Sequence, residues 1–207
     1  MSQMKDLIIV GAGGFGREVY YLAKSIGKWN IKGFIDDKQV DMADVQITET
    51  KWIGTIKDWV PSENEVFALG IASPKAKEIV SNILKEKGAR FETLIAPTAY
   101  VNSTTILGEG CVVGGRAWVG DGNRIGNFVN IAGSSIGQDV EIGDYTTTTA
   151  HTNVPSGKIG KRVFIGSMAV VLANVEDDAT VAAGSIVMRK VKSGTKVMGN
   201  PAKKIDI

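Results

Sequence analysis

Three glycines near the amino terminus have the spacing of a phosphate-binding loop. Gly11, Gly13 and Gly16 form a G-x-G-x-x-G pattern that follows an apolar run, 7–10, and precedes a helical stretch. In that setting, backbone N–H groups at the helix amino terminus can hold a phosphate. Glycines with this spacing also let a helix pack tightly on a strand, so the pattern alone leaves both roles open.

Two aspartates follow the second apolar run of the chain. Asp36 comes about twenty residues after Gly16, where a carboxylate often meets a nucleotide ribose. Asp37 follows directly. We therefore expect the two carboxylates to lie near the glycine loop and to contact a base or ribose.

One histidine, His151, is the single candidate for imidazole chemistry, although a polar loop residue is the simpler interpretation. A lone histidine argues against a His-rich metal site, and we expect no bound metal. One cysteine, Cys111, has no partner for an internal disulfide, which fits a reducing compartment. Cys111 lies four residues after Leu107, a small-residue position of the repeats described below, so we expect it in the core.

Charge and composition exclude several classes of protein. The 24 Lys and Arg residues nearly balance 22 Asp and Glu residues, which argues against a general nucleic-acid binder. Hydrophobic residues make up 43% of the chain, enough for a packed core. No uncharged apolar run approaches the roughly 18 residues of a membrane span, and no signal peptide opens the chain. We expect a cytoplasmic protein.

The first ninety-five residues alternate between strand and helix patterns. Strands are predicted at 7–10, 31–35, 66–71 and 91–95, with helices from Arg17 to about Ile26 and after Pro74. Ile79, Ile83 and Leu84 are expected to form the buried face of the second helix. The order favours a parallel sheet with right-handed crossovers, a Rossmann-like domain too short for the complete six-stranded dinucleotide fold.

A six-residue repeat begins at Val101. Aliphatic residues recur at this step, with a one-residue slip after Ile131 and irregular spacing from Ile142 to Ile159. They are Val101, Leu107, Val113, Val119, Ile125, Ile131, Ile136, Ile142, Ile159, Ile165, Val171, Val175, Val181 and Val187. Small residues often follow four positions later, as at Thr105, Cys111, Ala117, Ser135, Thr146, Ala169, Ala179 and Ser185.

A period of six fits neither an amphipathic helix nor a long alternating strand. It predicts a triangular coil in which each short strand points one branched side chain inward and then turns a corner. Glycine and small polar residues serve the corners, and stacked coils share a continuous core.

These motifs together resemble the hexapeptide-repeat sugar O-acyltransferase group, which includes sialic-acid O-acetyltransferases and nucleotide-amino-sugar N-acetyltransferases. The resemblance covers nearly the whole chain. It comprises the segment 11–19, Phe34-Ile35-Asp36-Asp37, Ile95-Ala96-Pro97-Thr98-Ala99, the repeats, and Gly199-Asn200-Pro201-Ala202-Lys203. It implies a nucleotide-sugar-binding domain over 1–95 and a left-handed parallel β-helix over 96–207, in a homotrimer that binds acetyl-CoA between coils.

The resemblance also implies the residues of the site. The nucleotide sugar would contact Gly11, Gly13, Gly14, Phe15, Gly16, Asp36 and Asp37. The catalytic positions would be Gln138, Asp139 and Gly157, with the Gly157 N–H directed at the thioester carbonyl. His151, which matches neither family histidine, would be a reserve base. Acetyl-CoA would contact Gly166, Ser167, Ala183, Gly184, Asn200, Pro201, Ala202 and Lys203. A basic carboxy-terminal segment would attract CoA phosphates, although a solvated charged face is the simpler interpretation: Arg189, Lys190, Lys192, Lys196, Lys203 and Lys204.

The chain departs from the family pattern at the general base. Gln138 stands where the family histidine is expected, and Thr147 stands where a second family histidine would fall. A carboxamide cannot accept a proton at neutral pH. Asp139 would keep the orienting role of the family acid, or would only hydrogen-bond its turn.

Three interpretations follow from this departure. In the first, the enzyme acylates a sugar amine, which needs little base because the free amine is nucleophilic. In the second, His151 acts as the general base from a loop or a neighbouring subunit. In the third, the protein binds a nucleotide sugar without catalysis. An O-acetyltransferase that uses His151 belongs to the second case. An NAD-dependent oxidoreductase is a less favoured alternative. Its dinucleotide-binding sheet would be truncated, and the triangular coil would have no role in such an enzyme.

Overall fold

The computed structural model describes residues 4–206, so the outer limits expected for the two domains, 1 and 207, lie outside the described residues. The amino-terminal part contains β1 (Asp6–Val10), α1 (Gly14–Ile26), β2 (Asn30–Ile35), β3 (Trp52–Gly54), β4 (Glu65–Leu69) and α2 (Pro74–Glu86). A short 3-10 helix covers Ala43–Val45. The strand order is β3-β2-β1-β4, and all pairs are parallel, which confirms the expected sheet.

The buried face of α2 differs from the prediction. Ile79 and Ile83 are 60% and 38% exposed. The buried positions are instead Lys77, Ser81 and Leu84. They have the i, i+4, i+7 spacing of one helix face, but two of them are polar, so apolar periodicity selects the wrong side.

The remainder of the chain forms a parallel β-helix of short strands, as the six-residue repeat predicts. They are β5 (Leu94–Ile95), β6 (Tyr100–Val101), β7 (Ile106–Leu107), β8 (Val112–Val113), β9 (Trp118–Val119), β10 (Arg124–Ile125), β11 (Asn130–Ile131), β12 (Ser135–Ile136), β13 (Glu141–Ile142), β14 (Thr147–Thr148), β15 (Asn153–Val154), β16 (Lys158–Ile159), β17 (Phe164–Ile165), β18 (Val170–Val171), β19 (Thr180–Val181), β20 (Ile186–Val187), β21 (Lys196–Gly199) and β22 (Ala202–Lys204).

These strands build the three faces of a triangular coil. Face 1 contains β5, β8, β11, β14, β17, β19 and β21; face 2 contains β6, β9, β12, β15, β18 and β20; face 3 contains β7, β10, β13 and β16. The strand β22 adds to face 1 as an antiparallel partner of β21. The predicted strand 91–95 is divided, because Phe91 bridges Phe67 of the amino-terminal sheet whereas Leu94–Ile95 belongs to face 1.

The repeat continues through the segment that looks irregular in sequence. Thr148 and Val154 occupy the inward positions between Ile142 and Ile159, and both are fully buried. The Thr148 hydroxyl lies 2.9 Å from the Ser134 hydroxyl and 3.3 Å from the Asn130 carbonyl oxygen. These hydrogen bonds satisfy a threonine inside an aliphatic core, so the predicted interruption is wrong.

Successive coils become shorter. Strands of face 1 from β5 to β21 begin 18, 18, 17, 17, 16 and 16 residues apart. The first shortening removes one residue between β11 and β12, so Ser134 is buried and Ser135 is exposed, the reverse of the prediction for Ser135. Cys111 is fully buried, as predicted, and burial raises the pKa of its thiol to about 11.

We name the three lines of turns after the faces they join. Edge 1–2 includes Arg116, Gly133, His151, Met168 and Gly184; edge 2–3 includes Gly122, Asp139 and Gly157; edge 3–1 includes Phe128, Tyr145, Arg162 and Asp178. All of these residues have positive φ, which turns the chain at each corner.

Candidate active site

The glycine loop connects β1 to α1, and its glycines have two different roles. Gly11 has φ +99°, and a Cβ on Gly16 would lie 1.9 Å from the Gly11 carbonyl oxygen, so these two glycines are required by packing. Gly13 and Gly14 are exposed, and a Cβ on either would meet nothing within 4 Å. Gly13 caps α1 without a side-chain hydrogen bond. Packing therefore does not explain Gly13 and Gly14, which leave open space at a helix amino terminus.

Of the two aspartates, only Asp36 lies against the loop. Its Oδ2 accepts a hydrogen bond from the Ala12 N–H at 2.8 Å, and its Oδ1 accepts one from the Lys38 N–H at 2.9 Å. Asp37 turns away and accepts from the Lys57 N–H at 3.2 Å. The structure thus places Asp36 and the glycine loop together at the carboxyl ends of β1 and β2, where open α/β sheets bind ligands.

A cleft of about 130 Å³ continues from this loop to the β-helix. It is lined by Phe15, Glu18, Val19 and Leu22 of α1 and by Val112, Gly114, Gly115 and Ala132 of the coil. Phe15 is half-buried there. No local sequence pattern predicts this cleft, because the residues of its two walls are about a hundred positions apart in the chain.

Two side chains of face 1 bind the loop that follows β4. Asn130 Nδ2 donates to the Ile71 carbonyl oxygen at 3.1 Å, and Thr147 Oγ1 donates to the Ala72 carbonyl oxygen at 2.7 Å. Thr147 is the position where the resemblance leads one to expect a second histidine. Here the buried threonine links the β-helix to the amino-terminal part of the chain, and this contact explains why a threonine stands at the position.

Lys77 makes a second connection between the two parts. Its Nζ donates to the carbonyl oxygens of Phe128 at 2.8 Å and Thr146 at 3.0 Å, both at edge 3–1. The side chain is fully buried, and desolvation lowers the pKa of Lys77 to about 7. A neutral amine has two N–H groups, which matches two carbonyl acceptors. The sequence analysis missed this residue because a charged side chain is normally expected on the solvent side.

The predicted catalytic residues Gln138, Asp139 and Gly157 lie on edge 2–3. Gln138 and Asp139 are exposed. Gly157 has φ +103° and belongs to the next coil, where its carbonyl oxygen accepts from the Glu141 N–H at 3.1 Å. Asn123 is fully buried beneath the turn; its Nδ2 donates to the Gly137 carbonyl oxygen at 2.9 Å, and its Oδ1 accepts from the Val140 N–H at 2.8 Å. The turn that presents Gln138 is therefore held at both ends.

His151 lies on a different edge, together with most of the predicted acetyl-CoA contacts. It is exposed on edge 1–2, and its N–H donates to the Gly133 carbonyl oxygen at 3.1 Å. Ser167 follows in the next coil, and Gly184 in the one after, where its N–H donates to the Ser167 carbonyl oxygen at 2.8 Å. Gly166, Ala183, Asn200, Pro201, Ala202 and Lys203 continue this side of the coil.

Gly166 has a packing reason of its own, because a Cβ there would lie 2.5 Å from the Ala183 backbone nitrogen. In the basic carboxy-terminal segment, Lys190 pairs with Glu176 at 2.5 Å and Lys204 with Asp206 at 3.0 Å. Both lysines are largely exposed, so these pairs contribute little to stability.

The predicted site residues are thus divided within one chain. Gln138, Asp139 and Gly157 lie on edge 2–3, whereas His151 and most of the acetyl-CoA positions lie on edge 1–2. Face 2 separates the edges, and five or six residues at about 3.3 Å each give a separation on the order of 15–20 Å. One chain alone does not bring the two groups together.

Residues 4–206 contain no cluster of three or more His, Cys, Asp or Glu side chains arranged to hold a metal ion. Neither helix in the same stretch has the length and apolar character that a membrane span requires.

Comparison with known proteins gives matches for both parts of the chain. Residues 6–84 match the family described as the PglD N-terminal domain. Bifunctional protein GlmU from Trichodesmium erythraeum is 29% identical over 134 residues, which are 60% of this chain and 28% of that protein. The chain thus spans less than a third of the length of the curated relatives that it matches.

Solved structures match over nearly the whole chain. The acetyltransferase domain of PglB from Neisseria gonorrhoeae FA1090 superposes with a TM-score of 0.89 at 25% identity, covering 97% of this chain and 100% of that domain. A variant of perosamine N-acetyltransferase from Caulobacter crescentus, in complex with CoA and GDP-perosamine, has a TM-score of 0.89 at 20% identity, with 99% of both chains covered. Together these findings confirm the resemblance seen in the sequence: residues 6–84 match the PglD N-terminal domain, and the whole chain shares the fold of the PglB acetyltransferase domain.

Proposed function

We propose that this protein transfers an acetyl group from acetyl-CoA to the amine of a nucleotide-linked amino sugar. The observation that carries the proposal is the whole-chain likeness to the PglB acetyltransferase domain, which has also been solved with acetyl coenzyme A bound. The pathway that fits this chemistry is the synthesis of bacterial surface glycans. Because both proposed substrates are cytoplasmic metabolites, we place the reaction in the cytoplasm.

The nucleotide sugar would bind at the glycine loop. Gly13 and Gly14 are the positions that packing does not require, and they leave the amino terminus of α1 open to a phosphate. Asp36 lies within hydrogen-bonding distance of the same loop. From there the cleft beside Phe15 leads to edge 1–2, so a sugar on the diphosphate would extend toward the coil.

Acetyl-CoA would lie along edge 1–2. Ser167, Ala183 and Gly184 are partly or fully exposed in consecutive coils of this edge, at the spacing of adjacent strands, about 4.8 Å. An extended pantetheine arm fits a line of small residues, since these leave room for close approach. The basic residues after Met188 would attract the CoA phosphates.

Acyl transfer itself would use the residues of edge 2–3. The sugar amine attacks the thioester carbon, a C–N bond forms, and the tetrahedral intermediate collapses as the C–S bond breaks. The Gly157 N–H would stabilise the oxyanion, while Gln138 accepts a hydrogen bond from the amine and Asp139 orients it. Because Gln138 cannot take a proton, an amine suits this site better than a hydroxyl, which needs a base to become nucleophilic.

We further propose a homotrimer built around face 2. Face 2 and its borders carry exposed apolar side chains: Tyr100, Trp118, Met168, Leu172 and Met188. Tyr100 and Trp118 stack with ring centroids 6.0 Å apart. Face 3 instead carries charged residues such as Arg124, Glu141 and Lys158. Three copies with face 2 toward a common axis would bring edge 2–3 of each copy beside edge 1–2 of the next, which would unite the divided site.

The test is release of free CoA thiol from acetyl-CoA in the presence of amino sugars linked to UDP, GDP or dTDP. We expect thiol release that depends on the acceptor, with one N-acetylated product detected by mass spectrometry. Calorimetry should give one acetyl-CoA site per chain. Binding of nucleotide sugar without thiol release would support the binding-only alternative, and acetylation of a hydroxyl would support the O-acetyltransferase alternative.

A further inference from the structure

We infer that His151 of one copy accepts the proton from the sugar amine at the edge 2–3 site of a neighbouring copy. The inference rests on the proposed function and on the proposed trimer. It gives the lone imidazole of the chain a role that Gln138 cannot perform.

The position of His151 along the coil supports this role. Its N–H donates to the carbonyl oxygen of Gly133, the residue after Ala132. Ala132 lines the end of the cleft from the glycine loop, so His151 lies one coil beyond that end. On its other side, the N–H of Met168 donates to the Ala150 carbonyl oxygen, and Ser167 begins the proposed acetyl-CoA line. His151 thus lies between the end of the nucleotide-sugar cleft and the start of the acetyl-CoA line, where the amine and the thioester must meet.

The polar side chains around His151 are otherwise engaged. Ser134 and Thr152 direct their hydroxyls to the Thr149 carbonyl oxygen at 2.9 and 2.8 Å. The Ser167 hydroxyl donates to the Thr149 hydroxyl at 3.1 Å. These hydroxyls are poor bases, and the imidazole is the one side chain among them with a nitrogen lone pair that can accept a hydrogen bond from the amine.

His151 cannot serve Gln138 of its own chain. The two residues lie on different edges, separated by face 2 on the order of 15–20 Å. With face 2 toward a threefold axis, edge 1–2 of one copy adjoins edge 2–3 of the next. The imidazole therefore serves the neighbouring copy.

The protons of the step balance with one proton released to solvent. The sugar ammonium loses its first proton to solvent, and the free amine attacks the thioester carbon with its lone pair. As the C–N bond forms, the imidazole of His151 takes a proton from the nitrogen of the tetrahedral intermediate. The C–S bond then breaks, and the leaving thiolate of CoA takes that proton from the imidazolium. The products are the amide, CoA with a free thiol and one proton in solvent.

The first test uses His151→Ala as a homotrimer. We expect kcat to fall by about 10²-fold or more, since a general base typically contributes that factor. The trimer mass and acetyl-CoA binding should stay unchanged because the alanine removes only the imidazole and keeps the Cβ, and added imidazole should restore part of the activity. A purely structural role for His151 would give neither the rescue nor unchanged binding. Wild-type kcat in His151→Ala would overturn the inference.

The second test uses mixed trimers of His151→Ala and Gln138→Arg chains, co-expressed with different tags and purified through both. Gln138→Arg places a bulky cation at edge 2–3, and we expect its homotrimer to be inactive. In any mixed trimer, one of the three sites combines an intact edge 2–3 with an intact His151. We therefore expect about one third of the wild-type activity per trimer.

No activity in folded mixed trimers would show that His151 does not act across chains, and would overturn the inference while leaving the proposed function standing. Absence of thiol release by the wild-type protein itself would overturn the proposed function and this inference together.

Discussion

The Nζ of Lys77 lies 2.8 Å from the carbonyl oxygen of Phe128, so a helix of the amino-terminal domain donates a hydrogen bond to a corner of the β-helix. The lysine is fully buried, and its second acceptor is the Thr146 carbonyl oxygen of the next coil. With Asn130 and Thr147 on face 1, it fixes the glycine loop relative to the coil. In the proposed reaction, the position of a nucleotide sugar relative to acetyl-CoA would therefore depend on these three polar side chains.

Lys77→Met should lower the free energy of unfolding by ~1–3 kcal/mol, because the Phe128 carbonyl oxygen loses a buried donor. Denaturant unfolding at about pH 10 measures the change, because the cost of deprotonating Lys77 on folding is small close to the ordinary lysine pKa of 10.5. Lys75→Met, on the exposed side of the same helix, is the matched control and should stay within about 0.5 kcal/mol of wild type. Equal stability of Lys77→Met and wild type would contradict the role assigned to these hydrogen bonds.

The same lysine predicts a pH dependence of stability. Its pKa is lowered from 10.5 to about 7 in the folded state, so above pH 7 the unfolded chain binds more protons at this site. Stability of wild type relative to Lys77→Met should therefore rise from pH 7 to 9, by up to about 1.4 kcal/mol per pH unit. Above pH 9 the Cys111 thiol, whose pKa is raised from 9.0 to about 11, adds the opposite slope to both proteins. A constant difference across pH 7–9 would contradict the prediction.

Gly14→Ala and Gly16→Ala should separate binding from folding. A Cβ at Gly16 would collide with the Gly11 carbonyl oxygen, so Gly16→Ala should lower the melting temperature markedly. Gly14→Ala has open space and should keep or slightly raise stability, while it weakens nucleotide-sugar binding by filling the proposed phosphate site. Thermal unfolding and calorimetry with a nucleotide sugar distinguish the two effects. Unchanged affinity in Gly14→Ala would argue against this loop as the phosphate site.

Trp118→Glu should dissociate the proposed trimer. Trp118 is 42% exposed on face 2, and a carboxylate buried there between copies would lack a partner. Ile106→Glu is the control, since Ile106 is 58% exposed on face 3 and should tolerate the charge. Light scattering should give about three times the 22.0 kDa chain mass for wild type and Ile106→Glu, and a lower mass for Trp118→Glu. A lower mass for Ile106→Glu, with Trp118→Glu unchanged, would place the interface on face 3 instead.

In the His151→Ala background, Gln138→His should raise kcat for the amine acceptor by about tenfold or more, because it supplies a general base at the exposed turn of edge 2–3 where the imidazole of His151 is missing. Gln138→Asn provides no base and is the control. Steady-state thiol release measures both variants, and kcat should change more than KM. Unchanged or lower activity in Gln138→His would mean that the turn does not adjoin the reacting amine.

The architecture could largely be predicted from local patterns, because each coil repeats the same inward position. Where prediction failed, the deciding contact came from another coil or the other domain. Thr148 fits an aliphatic core only because Ser134 and Asn130 supply hydrogen-bond partners. Similarly, the buried face of α2 includes Lys77 because corners of the β-helix supply two carbonyl acceptors.

The candidate site could be predicted from the sequence only in part. The spacing of Gly11, Gly13 and Gly16 predicts a loop between a strand and a helix. Only the structure distinguishes the glycines that close packing requires from those that face open space. The arrangement of Gln138 and His151 on different edges also could not be predicted, since it depends on which coils lose residues. The register of turns shifts where the coil shortens from 18 to 17 residues.

The antiparallel hairpin of β21 and β22 changes the edge that face 1 presents to other molecules. A parallel β-helix ends in unpaired strand edges, and such edges can recruit strands from other molecules into fibres. On face 1, β22 runs against the direction of the strands it extends, and it carries Lys203 and Lys204. A second molecule stacked end to end would meet reversed strand polarity and positive charge. The strand β22 thus protects the edge of face 1 against aggregation.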